Sequence, residues 1–130
     1  MAEATDHLNV LLARTETPDA NLAQVLARVN RWDPDQPDLL PTAPEALPAI
    51  DALAAHLHRL IDRVAHEAVR LPADAGLRRI AESCFAETRR RLNHRPNQGL
   101  CDDLVRHAAR LSRSVDALRR VSRQIEATTR

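Results

Sequence analysis

The sequence predicts an all-α fold: an antiparallel helical bundle of three long or medium helices, with an N-terminal helix joined through a proline-rich linker. Three observations lead there. Apolar residues recur at spacings of three and four over most of the chain, the periodicity of one helix face, and no segment alternates with period two as a half-buried strand does. Gly76 and Gly99 are the only glycines, which leaves little scope for tight hairpins or phosphate-cradling loops. Trp32 and Phe85 are the only Trp, Tyr or Phe residues, so the core must be built from Leu, Val, Ile and Ala. At 130 residues the chain makes one domain, burying about two-thirds of the surface its unfolded form exposes.

The first start signal is Thr17-Pro18-Asp19. Thr17 can cap, Pro18 suits the first helical position because its missing N–H would be unpaired there, and Asp19 favours the helix dipole. Leu22, Val25, Leu26 and Val29 then form one apolar stripe. An earlier turn or two is expected over residues 4–13, around Leu8, Leu11 and Leu12. From 33 to 48 the chain carries Pro34, Pro37, Pro41, Pro44 and Pro48, a spacing that breaks regular helix and reads as a linker or a strapped extended segment.

Thr42-Ala-Pro-Glu45 has the form of a capping box, so the second helix is expected from about residue 44 or 48 to 71. Its apolar series is Leu47, Ile50, Leu53, Leu57, Leu60, Ile61, Val64 and Ala68, and Pro72 and Asp74 end it. A third helix is expected over 75–92, with Leu77, Ile80, Ala81, Cys84, Phe85 and Leu92 inward. The stretch 93–99 reads as a turn. A fourth helix follows over 98–127, with Leu100, Leu104, Ala108, Leu111, Val115, Leu118 and Ile125 as its seam.

At a rise of 1.5 Å per residue, the second and fourth helices are about 40–45 Å long and the third about 27 Å. Two long antiparallel helices covered by one short helix leave an apolar groove. The first helix is expected to return across the linker and close it, with closure by a second subunit as the alternative. The organisation is then an N-terminal helical segment over 1–32, a proline-rich linker over 33–48 and a bundle core over 44–130, a single domain overall.

All 19 basic residues are Arg, and they are unevenly spread. Residues 1–48 hold three Arg against eight acids, whereas residues 73–130 hold thirteen against seven. A basic half suggests a polyanion. Yet all of those thirteen except Arg89, Arg95 and Arg110 have an acid three or four residues away, as in Asp102–Arg106, Glu87–Arg91 and Asp116–Arg120. Such pairs mark solvated helix faces and contribute a few tenths of a kcal/mol each. No recognition-helix pair, RNP motif or zinc-finger spacing is present, and the shortage of rings removes base-stacking platforms, so nucleic acid is not an expected partner. No apolar run approaches the roughly 18–20 residues that span a bilayer, so no membrane association is expected. Residues 1–6 are acidic where a secretory signal is basic, which points to the cytoplasm.

Six His and two Cys invite a metal hypothesis. His56 and His58 are two apart and face about 160° away from each other on a helix. Neither CxxC nor HxxxH spacing occurs. A site from His94, Cys101 and His107 is conceivable, but Cys84 reads as a small core hydrophobe and Cys101 as a free thiol, and neither metal nor cofactor is expected. Catalytic signals are as thin. Ser83, Ser112, Ser114 and Ser122 sit in helical stretches without an elbow motif, and adjacent His66 and Glu67 point to different sides of their helix. Arginine-rich bundles can rearrange dicarboxylates, as chorismate mutases do, but the apolar series here leaves no inward Arg or Glu. The expectation is a protein that is not an enzyme.

Trp32 follows the first helix, where a ring can seal the end of the bundle or anchor a partner together with Leu39 and Leu40. Four segments carry a resemblance: Pro44-Glu-Ala-Leu-Pro48, the His56-Leu-His-Arg-Leu-Ile61 stretch with Arg70-Leu-Pro72, Ala86-Glu-Thr-Arg-Arg-Arg-Leu92, and residues 107–118. Over about residues 40–120 the chain resembles a family of small actinobacterial proteins of unknown function associated with natural-product biosynthesis. The resemblance implies a place in specialised metabolism, and no site residues. Together these readings describe a non-enzymatic accessory or regulatory protein. It is expected to recognise a protein partner, a second copy of itself among the candidates, through Trp32, Leu39 and Leu40. The alternative is a binder of a small acidic ligand or polyanion that uses Arg89, Arg95, Arg106 and Arg110 between the last two helices.

Overall fold

The computed structural model describes residues 18–129. The elements are α1 (Pro18–Arg31), a 3₁₀ turn (Pro37–Leu39), α2 (Ala43–Ala68), α3 (Gly76–Asn93) and α4 (Cys101–Thr129). Among the described residues there is no strand, and the fold is an all-α bundle. The expected turns over residues 4–13 and the Thr17 cap lie outside the described residues.

The two long helices, α2 and α4, pack against each other along most of their length, and α3 packs on both. Their seam is fully buried: Leu53, Leu57 and Val64 from α2 meet Leu104, Leu111, Val115 and Leu118 from α4 in one core cluster. Burying each of these leucines contributes about 1.5–3 kcal/mol relative to leaving it in water. Helix α1 lies across α2 and α4 and adds Leu22 and Val29 to the same cluster, with Val25 and Leu26 half-buried against it. The groove left by the short α3 is therefore closed within one chain.

The segment between α1 and α2 is looped rather than extended. The Asp33 N–H donates to the Leu39 carbonyl at 3.3 Å, the Leu39 N–H to Gln36 at 2.9 Å, and the Asp33 carboxylate accepts the Asp35 N–H at 2.9 Å. Thr42 occupies the capping position of α2, but its side chain makes no capping bond. Its carbonyl instead accepts the N–H groups of Glu45 and Ala46, both at 3.0 Å. Pro44 sits in the first turn, where a missing donor costs nothing, and Pro48 lies inside the helix on its exposed side.

Helix α2 ends at Ala68 rather than 71. Turn bonds from Arg70 to Glu67 and from Leu71 to Ala68 tighten the chain, Leu71 turns back into the core, and Arg78 Nη1 donates to the Leu71 carbonyl at 3.0 Å. Helix α4 starts at Cys101 rather than 98 because Asn97 builds a turn, accepting the Gly99 N–H on its side chain at 3.0 Å. Two expected inward residues lie outside. Ile80 is 56% exposed, because the buried stripe of the short α3 is only Ala81, Phe85 and Thr88 and Ile80 falls one residue off it. Leu100 is 48% exposed and precedes the first residue of its helix.

Candidate functional site: a polar hollow between two helices

Helix α4 is flanked by α1, α2 and α3, so its buried face is broad and includes positions outside the leucine seam. Two of these, His107 and Ser114, are a heptad apart and meet α3. From α3, Arg91 reaches across: Nη1 donates to Ser114 Oγ at 2.9 Å and to the Arg110 carbonyl at 3.1 Å, while Nε pairs with Glu87 at 3.2 Å. Arg90 pairs with the other Glu87 oxygen at 2.9 Å. One carboxylate is thus held by two guanidinium groups, and Arg91 cross-links the helices.

Beyond that cross-link, His94 at the end of α3 faces His107, with ring centroids 5.5 Å apart and planes tilted by 48°. His107 is 4% exposed and its Nδ1 is buried with no hydrogen-bond partner. An unpaired lone pair costs less than an unpaired buried N–H, so the neutral ring is assigned its hydrogen on Nε2. Burial holds the His107 imidazole below its usual value, and His94 and Arg110 push it the same way. Glu87, Arg90, Arg91, His94, His107 and Arg110 line a hollow of about 200 Å³. Among the described residues Arg110 has no carboxylate partner.

The four arginines expected to bind an acidic ligand are distributed differently. Arg110 lines this hollow. Arg89 lies on the α2 side of α3, above the Phe85 ring at 5.9 Å, and lines a second hollow of about 270 Å³ with His58, Ile61, Asp62, Leu92 and Asn93. Arg106 is bound to Asp102 at 2.9 Å and reaches Asp35 of the strap at 3.9 Å, and its hydrogen bond holds the Asp102 carboxyl below the usual range. Arg95 is exposed in the α3–α4 turn. At the proposed partner-binding positions, Trp32 is half-buried against the core, Leu40 is half-buried, and Leu39 is 43% exposed.

Of the metal candidates, His94 and His107 are brought together, and among the described residues no three His, Cys, Asp or Glu side chains are placed to hold an ion. Cys84 is half-buried, and burial pushes its thiol above the ordinary value. The Ser122 hydroxyl donates to the Glu67 carboxylate, whose two oxygens lie at 3.0 and 3.2 Å, and this contact joins α2 to α4. Among the described residues no helix is long and apolar enough to cross a membrane.

Sequence reasoning missed Glu87, Arg91 and Ser114 as members of a site, and read His107 only as a remote metal candidate. The signal present was positional: His107 and Ser114 are polar residues that each have a seam leucine three residues before and four residues after. The fold and hollow together define an all-α bundle with a charged seat between its last two helices. The chain belongs to the family of unknown function DUF6415, which it matches over residues 16–126. No curated protein and no solved structure matches it.

Proposed function

We propose that this protein binds a small molecule bearing an oxyanion, a carboxylate or a phosphate-like group, in the hollow between α3 and α4, and that it does so as a binding protein rather than an enzyme. The observation that carries the reading is the juxtaposition of Arg110, which has no carboxylate partner among the described residues, with a buried His107 whose Nδ1 has no hydrogen-bond partner. A guanidinium beside an imidazolium is a natural anion seat, the unpartnered Nδ1 becoming a donor once the ring is protonated. Glu87 does not repel the ligand strongly, because Arg90 and Arg91 already hold it. Two charge-assisted bonds at about 1.5–3 kcal/mol each support an affinity for a bare ion of order millimolar, with the body of the true ligand adding to it.

The test is a titration with sulfate and with succinate at pH 6, following the His94 and His107 imidazole signals by NMR. Saturable shifts that vanish in Arg110→Gln and survive in Arg89→Gln are expected. No shift with either anion would overturn the reading.

A second reading, recognition of a protein partner by an accessory or regulatory protein, is favoured by Leu39, one of few large apolar side chains left exposed. It sits on the bonded strap beside Leu40, so a partner would meet a held surface. Leu39→Asp is expected to abolish such a contact without lowering the melting temperature. A place in actinobacterial natural-product metabolism fits both readings and is supported by the resemblance over residues 40–120.

A further inference from the structure

We infer that anion binding in the α3–α4 hollow is proton-linked: the His94–His107 pair takes up a proton as the anion enters, so the site fills as pH falls and empties as pH rises. This rests on the oxyanion-binding reading above. The groups facing the pair are Glu87, Arg90 and Arg91 from α3 and Arg110 from α4. In the empty hollow three guanidinium groups outweigh one carboxylate, so a further positive charge on the imidazoles is opposed.

Burial adds to this, since His107 is shielded from water and protonation would place a hydrogen on Nδ1, which has no acceptor. An anion seated against Arg110 reverses the local balance. It supplies negative charge where little water competes, which favours the imidazolium form. The rings stand 5.5 Å apart, so a positive charge on one opposes a positive charge on the other. The lowered His107 value in the empty hollow agrees in direction. The device makes affinity for one class of ligand a function of pH across the range where imidazoles titrate.

Sulfate is the probe, because it stays doubly charged from pH 5.5 to 8 and any dependence on pH then belongs to the protein. Calorimetric titrations in two buffers of different ionisation enthalpy measure the protons taken up. Close to one proton per sulfate is expected, with affinity falling up to tenfold per pH unit through the titration. His94→Asn and His107→Gln should each flatten that slope, and the exposed His94 variant retains the test if the buried one fails to fold. If sulfate binds with no proton uptake, and Arg110→Gln still abolishes binding, the linkage is wrong and the anion site stands. If neither sulfate nor succinate binds at any pH, both fall together.

Discussion

His107 is a base that folding weakens, and the sign of its effect on stability follows. Burial first, then His94 and Arg110, hold its folded value below 6.5. Between that lowered value and the unfolded value, the unfolded chain binds more protons, so stability rises with pH through this window and is lost as pH falls. Urea unfolding at pH 5.5 and 7.5 should therefore show a less stable protein at the lower pH, and His107→Gln should lessen the difference even if it lowers both values. Asp102 acts in the same direction at lower pH. Its folded carboxyl is held below 3.8 chiefly by the Arg106 hydrogen bond, so its contribution is present above that value and fades as pH falls through the lowered one. The proposed anion binding and the stability should therefore respond oppositely to mild acid, which would favour a loaded seat and disfavours the empty fold.

At the scale of elements, Pro48 is the residue most at odds with its surroundings. It removes the donor that would bond the Pro44 carbonyl within α2, and its exposed side chain adds little packing. Replacement by Ala should stabilise the protein by about 1–2 kcal/mol, the restored helix outweighing the entropy that proline removes from the unfolded chain. Thermal unfolding followed by circular dichroism measures this. The same helix shows what the sequence made legible. The series from Ile50 to Ala68 announced its inward face because α2 packs through one continuous stripe. The broad face of α4 was only half legible: its leucine seam was clear, whereas His107 and Ser114 are covered from α3 and its C-terminal end, a contact that no local periodicity encodes. On α3, Thr88 escapes the apolar pattern because its hydroxyl donates to the Cys84 carbonyl at 2.8 Å and so enters the core already satisfied. The hollow was legible only as an arginine-lined place between the last two helices that includes Arg110; its contacts across the helices join residues about twenty positions apart, as with Arg91 and Ser114.

For the whole molecule, the arrangement separates a central seam from a peripheral helix. Leu57 is fully buried in the seam, and Leu57→Ala should cost about 2–5 kcal/mol and weaken every element together. Leu22 anchors α1 from one side of the core, so Leu22→Ala should loosen α1 while α2, α3 and α4 keep their protection in hydrogen exchange. Trp32, packed against the core immediately after α1, is the only tryptophan in a chain without tyrosine. Nature has in effect labelled one joint of the bundle with its single indole. Emission from that ring reports undocking of the first helix, while circular dichroism is dominated by the other three. Comparing the two signals during one melt would show whether the protein comes apart as a single cooperative body or sheds its outer helix first.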